Sequence, residues 1–309
     1  MPETILVTGA TGFLGGWVAH ELRNHSSVKV RLGVRSPTTA PLGQEVTYLD
    51  LSDESSIRSA LRGVDKVIHL AGVPQSLCES NPQISWVTNV EGTANLARVS
   101  AKSGVRRFVQ VSTIHVYGDP LPHIISAETP SFATSRYGRI HLAAEEELKN
   151  TGQMSVDIAR LCNGFGVPQS KANCWHLAIN DFARQAVRSS RIYLNSSGLQ
   201  QRNFVPIKDS AAFLVFLLQR ELIEKTISTW VYGSPQSHSV IDIANRVAAR
   251  WMIMSGKTTT VMPSSSSAAV PEATSCIDLQ PVLRQGFTAS FSLEHTIDEL
   301  LTYCTKTSP

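Results

Sequence analysis

The sequence predicts an α/β protein: a doubly wound parallel sheet with a smaller C-terminal α/β lobe. Three observations predict it. A strand, a glycine-rich turn and a helix follow one another within residues 4–22. Short apolar runs then alternate with amphipathic helical segments to about residue 165, the pattern of a parallel sheet covered on both faces. Beyond that point loops, short strands and longer helices replace the alternation.

Thr4-Ile5-Leu6-Val7 reads as the first strand, Thr8-Gly9-Ala10-Thr11-Gly12-Phe13-Leu14-Gly15 as the turn, and Trp17 to Leu22 as the helix. Gly9 permits the tight turn, Gly12 lets backbone N–H groups approach a phosphate, and Gly15 lets the helix pack closely on the sheet. The helix N-terminus points unpaired N–H groups and partial positive charge at the anion. A glycine triplet alone is a weak signal. The strand before it and the helix after it mark a site for a dinucleotide, with Thr11, Phe13 and Leu14 counted beside the glycines.

Val28 to Val34 is the second strand, ending in Val34-Arg35-Ser36. An NAD-binding unit carries an Asp or Glu about 20 residues past its glycines to hold the ribose 2′-OH; none stands here. A guanidinium and a hydroxyl suit a 2′-phosphate. NADP(H) is therefore favoured, with NAD(H) possible; the other reading of Arg35 is a solvated strand-end charge. Asp50-Leu51 follow the third strand, where a carboxylate could accept from an adenine amine. Ser52 and Asp53 alternatively cap the next helix.

That helix is Ser55 to Leu61, leaving at Gly63 into the strand Lys66 to Leu70; the segment His69-Leu70-Ala71-Gly72 ends this strand. Trp86 to Ser103 is a long helix containing Asn89, followed by the strand Phe108 to Ser112. Tyr137 to Asn150 is a helix with a charged face (Glu145, Glu146, Glu147, Lys149), and Val156 to Leu161 is the next strand. Right-handed crossovers place every strand's C-terminal end on one edge, where ligands bind.

After Gly166 come a loop with Pro168, Lys171 and Asn173, a helix from Trp175 to Arg188, a strand Arg191 to Leu194, and the segment Gln201 to Ile207. Ala211 to Leu218 is apolar but too short to span a bilayer, and reads as a buried helix. Trp230 to Tyr232 is a strand, Val240 to Trp251 a helix, Ser264 to Ala269 a low-complexity Ser/Ala loop, and Leu293 to Tyr303 an amphipathic helix. Residues 1–165 are expected to form the dinucleotide-binding domain, with 204–235 returning to it; 166–203 and 236–309 form the substrate lobe.

The chain has 309 residues, 42% hydrophobic and 17% charged, an ordinary soluble composition. Its net charge of +3, without a dense Lys/Arg block, argues against nucleic acid, and no membrane partner is expected. The first strand begins at once, so no signal peptide and a cytoplasmic location are expected. The five cysteines (78, 162, 174, 276 and 304) are odd in number and lack CxxC pairing. They read as free thiols, with neither a disulfide frame nor a metal site.

Three segments should meet at the sheet edge: His69 to Gly72, Val111-Ser112-Thr113-Ile114-His115-Val116-Tyr117-Gly118, and Tyr137-Gly138-Arg139-Ile140-His141. With the glycine turn they resemble the extended short-chain dehydrogenase/reductase family of nucleotide-sugar epimerases, dehydratases and ketoreductases. The resemblance continues through Arg160 to Gly166, Gln201 to Asp209, and Gly286-Phe287. It implies a Rossmann-type fold, a Tyr general acid/base, a Ser or Thr partner, and a Lys four residues past the Tyr that holds the nicotinamide ribose and depresses the Tyr pKa. Tyr137 and Thr113 match the first two. Position 141 departs from the pattern, being His. A free Tyr has a pKa near ~10 and needs a nearby cation to work at neutral pH. A neutral imidazole one turn away donates to a ribose hydroxyl but carries charge only if its pKa is raised. The departure implies slower or more alkaline chemistry, or a binding fold without catalysis.

His115 lies two positions after Thr113, on the same strand face. In sugar 4,6-dehydratases this segment reads Thr-Asp-Glu, and the missing acidic pair disfavours a dehydratase. In 3,5-epimerase/reductases a Cys stands at the slot of His115 and a later His completes the pair; His176 is the candidate. The two could move protons at carbons beside a ketone. The alternatives are a polar pocket wall for His115 and a helix-face or core histidine for His176. Asn163 matches a substrate-contacting Asn, Asn180 is a second candidate, and Arg202 matches an Arg that binds the nucleotide diphosphate. The combined reading is NADP-dependent reduction of a keto group on a nucleotide-linked sugar, with Tyr137 as proton donor. A nucleotide-sugar epimerase and a non-catalytic NADP-binding regulator or scaffold are the alternatives. The resemblance also implies a homodimer joined by a four-helix bundle of Trp86–Ser103 and Tyr137–Asn150.

Overall fold

The computed structural model describes residues 2–36, 44–149, 151–152, 154–169, 174–221, 226–264 and 273–307. Lys171, Asn173, Asn150 and positions 265–269 of the Ser/Ala stretch lie outside the described residues. The strands are β1 (Glu3–Thr8), β2 (Val28–Val34), β3 (Glu45–Tyr48), β4 (Lys66–His69), β5 (Arg107–Thr113), β6 (Ile124–Ile125), β7 (Ser155–Leu161), β8 (Asn163–Phe165), β9 (Arg191–Tyr193), β10 (Gln201–Arg202), β11 (Phe204–Pro206), β12 (Ile227–Tyr232), β13 (His238–Ser239), β14 (Thr260–Met262) and β15 (Cys276–Ile277). The helices are α1 (Phe13–Arg23), α2 (Glu54–Ala60), α3 (Gln75–Ser80), α4 (Pro82–Trp86), α5 (Gly92–Lys102), α6 (Arg136–Leu148), α7 (Ala178–Ser189), α8 (Ile207–Gln219), α9 (Val240–Ser255), α10 (Gln280–Arg284) and α11 (Leu293–Thr307).

Seven strands form one sheet in the order β12-β7-β5-β4-β1-β2-β3, and every neighbouring pair is parallel. The chain winds outward from β1 to β3, then returns to β4 on the other side of β1. The strand order reverses between β1 and β4, which opens a crevice at their C-terminal ends. The register sets Thr8 opposite His69, His69 opposite Gln110, and Thr113 opposite Leu161. All of β4 and all of β7 are buried, as a sheet covered on both faces requires.

Two charged residues of β5 and β7 are buried at the far end of the sheet. Arg107 donates through Nη1 to the carbonyls of Leu217 and Arg220, both at 2.6 Å, a cation closing the C-terminus of α8. Its Nε lies 3.4 Å from Asp157, whose carboxylate also accepts from Trp230 Nε1 at 2.8 Å.

The long helix expected from Trp86 to Ser103 is one helical run with a π-turn inside it. α4 passes through Val87–Glu91 in π geometry and continues as α5. Asn89 is buried in that turn. The helix expected from Trp175 begins instead at Ala178.

A second hydrophobic core packs α7, α9 and α11 around Phe182, Trp251 and Leu300, with the short pairs β9–β14, β10–β13 and β8–β11 beside them. Phe287 turns back to the main sheet and meets Phe213 and Tyr232 at ring-centroid distances of 5.3 and 5.5 Å. Trp17 of α1 donates through Nε1 to the Val167 carbonyl at 2.7 Å. Lys208 binds Glu299 at 2.7 Å and sits over the rings of Trp17 and Phe291. All five cysteines are free thiols. Among the described residues no helix is long and apolar enough to cross a membrane, and no group of three His, Cys, Asp or Glu side chains could hold a metal.

Candidate active site

The glycine turn is built for close approach. Gly9 has φ +65°, and a Cβ there would lie 2.8 Å from the Ala71 nitrogen and the Leu70 carbonyl carbon. At Gly15 a Cβ would lie 2.2 Å from the Gly9 oxygen. Only glycine brings β1, α1 and the end of β4 this near one another. Gly12 leads into α1 in extended geometry with no side-chain cap, and the first turn holds no acidic residue among those described. The N–H groups of Phe13, Leu14 and Gly15 have no carbonyl four residues back inside the helix, and the positive helix end lies with them.

His69 joins the two sides of this crevice. Thr8 Oγ1 accepts the N–H groups of Leu70 and Ala71 at 3.2 and 3.1 Å, and stands 2.6 Å from His69 Nδ1. Thr93 Oγ1 donates to the Asn89 carbonyl at 2.6 Å and stands 3.1 Å from His69 Nε2. Each hydroxyl has one proton. The assignment that satisfies both has Thr8 donating to Nδ1 and a neutral imidazole donating from Nε2. Burial, with the nearby His141 second, pushes the His69 pKa down to about 3, which agrees with a neutral ring. Asn89 Oδ1 accepts from Val73 N at 2.9 Å, while its buried Nδ2 has no partner among the described residues. Gly72 lies against that amide, where a Cβ would approach Oδ1 to 3.3 Å. A glycine cradle, an open helix N-terminus and an unsatisfied donor on the same edge fit a dinucleotide.

Thr113, Tyr137, His115 and His141 come together beside it. The Thr113 hydroxyl lies close enough to the Tyr137 phenol to favour its ionised form. The Tyr137 and His141 rings meet edge to face with centroids 4.5 Å apart, and the His115 ring meets Tyr137 from another side at 5.9 Å. Thr113 also accepts from the His115 N–H at 3.2 Å, closing the turn after β5. Tyr137 and His141 keep part of their surface exposed, yet packing around their polar atoms dominates their ionisation. Burial pushes Tyr137 up to about 12, the Thr113 hydroxyl opposing it. Burial, then the charge on His115, pushes His141 down to about 4. The imidazole is neutral at pH 7 and supplies Tyr137 with no cation.

His115 is held below its ordinary pKa, by burial first and by Arg202 second, while a hydrogen bond with Asn163 opposes the shift. Asn163 Nδ2 donates to the Asn203 carbonyl at 2.9 Å. Arg202 grips Asp119 through both terminal nitrogens, at 3.4 and 3.0 Å. His115, Asn163 and Arg202 therefore form one polar wall, and Asp119 joins it although its sequence context gave no signal.

Asn180 and His176 are the other two expected substrate residues. Asn180 is fully buried, accepts from the Gly166 N–H at 3.1 Å and donates to the Gly166 carbonyl at 2.8 Å. Both ends of its amide are committed to that loop. His176 is exposed in the turn before α7. The helical run in the sequence continues upstream of the true helix start, which made the residue look like part of a helix face.

At the other end of the crevice Arg35 is exposed just past β2. Asp50 accepts from the Ser52 hydroxyl and N–H at 2.7 and 2.9 Å, and these bonds, with the Arg35 charge behind them, hold its carboxyl below the usual range. Leu51 packs on Gly92 and its carbonyl accepts from Asn95 at 3.2 Å. Asp53 caps α2 through the Ser55 N–H.

Glu145 corrects the expected charged face of α6. It is 3% exposed and ion-paired with Arg160 at 2.6 Å. Its neighbours in sequence suggested solvent; the signal that it is buried was Arg160, a cation inside an apolar strand that must have a partner.

The model of the NAD-dependent epimerase/dehydratase family matches residues 5–228, which takes in every group of this site. The chain belongs to that family. Its members form the extended short-chain dehydrogenase/reductase type of NAD(P)-dependent oxidoreductases and epimerases. The chain is 27% identical over 300 residues to a dTDP-L-rhamnose 4-epimerase of Burkholderia thailandensis, with 81% of each chain covered. It is 34% identical over 164 residues to a UDP-glucose 4-epimerase of Streptomyces lividans, covering 50% of this chain and 49% of that one. Other relatives are matched over 36% to 75% of their own length. Among solved structures, MoeE5 in complex with UDP-glucose and NAD superposes with a TM-score of 0.82 at 24% identity, covering 98% of this chain and 99% of that one. That likeness is one of fold.

Proposed function

We propose that this family member reduces a keto group on a nucleotide-linked sugar, with NADPH as the preferred cofactor and Tyr137 as the proton donor. The observation that carries the reading is Tyr137, set beside Thr113 and in ring contact with a neutral His141. A phenol near 12 stays protonated at neutral pH. It is a poor base for taking a proton from a sugar hydroxyl, and it retains a proton to give to an oxygen gaining negative charge. Epimerisation needs both directions; reduction needs only the second.

Gly9, Thr11, Gly12, Phe13, Leu14 and Gly15 would hold the dinucleotide's diphosphate at the α1 N-terminus. Arg35 would pair with the 2′-phosphate, and Asp50 and Leu51 would border the adenine. Leu70, Ala71 and Gly72 would line the crevice, and Tyr137 and His141 would meet the nicotinamide ribose. When bound, the cofactor supplies a hydride. Thr113 orients the substrate oxygen and Tyr137 protonates it. His115 and Asn163 border the sugar, and Arg202 trades Asp119 for the substrate diphosphate. The UDP-glucose held by MoeE5 in its complex supports this substrate class. We read the helical run of α4 and α5, with Ile84, Trp86 and Val87 exposed on it, together with α6 as the surface of a four-helix homodimer.

The deciding experiment incubates the purified protein with NADPH or NADH and a panel of nucleotide-linked keto sugars and follows nicotinamide absorbance. Consumption of NADPH with formation of the alcohol supports reduction. Interconversion of sugar epimers without net cofactor loss assigns an epimerase instead. Tight NADPH binding with no turnover leaves a binding protein. Tyr137→Phe should lower turnover by about 10²–10⁴-fold with dinucleotide affinity kept.

A further inference from the structure

Helix α6 carries Tyr137, His141 and Glu145 at intervals of four residues, so they share one face. A carboxylate buried as deeply as Glu145 persists only with partners, and its partners come from the other elements of the site. Ser112 of β5, the residue before Thr113, donates to Oε1 at 2.5 Å. Arg160 of β7 donates through Nε to both carboxylate oxygens, at 3.1 and 3.2 Å, and through Nη2 to Oε2 at 2.6 Å. Arg160 Nη1 donates to Tyr117 Oη at 2.9 Å, and the guanidinium lies 4.9 Å from the Tyr117 ring centroid. Tyr117 closes the short turn that carries His115, and its hydroxyl donates to the Ser126 carbonyl at 2.7 Å. One ion pair thus ties together the strand of Thr113, the helix of Tyr137 and His141, and the turn of His115.

Such a pair contributes little net stability, because desolvating two charges costs about what their attraction returns. Its effect is directional: a forked guanidinium on a carboxylate fixes distance and orientation together. We propose that Glu145 and Arg160 are positioning residues, which set the roll and height of α6 so that the Tyr137 hydroxyl meets Thr113 while His141 and His115 flank its ring. Both side chains are buried, at 3% and 7% exposure, and act through Tyr137. The inference rests on Thr113 and Tyr137 being the proton-transfer pair.

Glu145→Asp withdraws the carboxylate by one methylene and keeps its charge, while Tyr117→Phe removes only the link from Arg160 to the His115 turn. Four quantities are measured on each full-length variant: kcat and KM with the keto sugar, NADPH affinity by fluorescence, the thermal midpoint, and the His141 ring titration by NMR. Glu145→Asp is expected to lower kcat about tenfold or more with KM and NADPH affinity unchanged. His141 should titrate above its value of about 4, because a loosened helix admits water. Tyr117→Phe should move both in the same direction by less, and decides the matter alone should Glu145→Asp not fold. A fall in thermal midpoint with kcat and the His141 titration unmoved overturns the proposal. Should the wild type turn over no nucleotide-linked sugar, the functional reading fails, and the His141 titration still decides the positioning role.

Discussion

The rings of Tyr137 and His141 meet at a centroid distance of 4.5 Å and an interplanar angle of 69°. The position one helical turn beyond the phenol is therefore in contact with it and electrically silent at neutral pH. A cation in that place would stabilise the phenolate; a neutral imidazole packs against the ring and leaves the phenol weakly acidic.

Restoring a charge there should change the chemistry in a defined direction. In His141→Lys an ammonium one turn from the phenol lowers the Tyr137 pKa by about 1–3 units. The alkaline limb of the pH–rate profile should move to lower pH by that amount. A profile superimposable on the wild type would show that position 141 does not govern Tyr137.

Acid should unfold the protein earlier than its carboxylates alone would cause. His69 and His141 are held at about 3 and about 4 in the folded state, below their ordinary 6.5. The unfolded chain thus binds more protons than the folded one, and stability rises with pH across this interval. It is fully present above 6.5 and falls as the pH drops toward 4, by about 1.4 kcal/mol per unit for each histidine. Denaturant melts across that range measure the slope. His141→Gln should remove one histidine's share, and a flat wild-type profile would contradict the assignment of neutral buried rings.

Arg35 is the test of cofactor choice. Arg35→Ala should raise the Kd for NADPH about tenfold or more, the loss of a charge-assisted pair with a phosphate, and leave the Kd for NADH unchanged. Titration of protein fluorescence with both cofactors reads the ratio. Equal losses for the two would take Arg35 out of the 2′-phosphate site.

Gly15→Ala places a methyl group 2.2 Å from the Gly9 oxygen and 2.8 Å from the Ala10 Cα, backbone atoms that cannot turn aside. It should destabilise the fold by about 1–3 kcal/mol and weaken dinucleotide binding in proportion to the displacement of α1. Chemical denaturation and cofactor titration on the same sample measure both.

Much of this was legible in the amino-acid order. β2 and the buried helix α8 followed from runs of apolar residues whose burial permits few alternatives, and the glycine turn from the backbone geometry a phosphate requires. Thr113 and Tyr137 were locatable through the family resemblance of their segments, and His141 by its place one helical turn past Tyr137. Less legible were residues whose partners lie far along the chain. Glu145 sits among solvated glutamates and is distinguished only by Arg160, fifteen positions away. Asn180 has a polar side chain suited to a ligand, yet both of its ends are taken by Gly166. The π-turn at Asn89 leaves no mark in a hydrophobic pattern that fits a straight helix equally well.

Lys208 gathers neighbours from the whole length of the molecule: Trp17 near one end, Phe291 and Glu299 near the other. That arrangement has a consequence for synthesis. A ribosome would release Trp17 first and Lys208 next, and Lys208 would lack its carboxylate partner until Glu299 of α11 emerges. A nascent chain halted before α11 would therefore carry Lys208 in its place over Trp17 without the charge that pairs it.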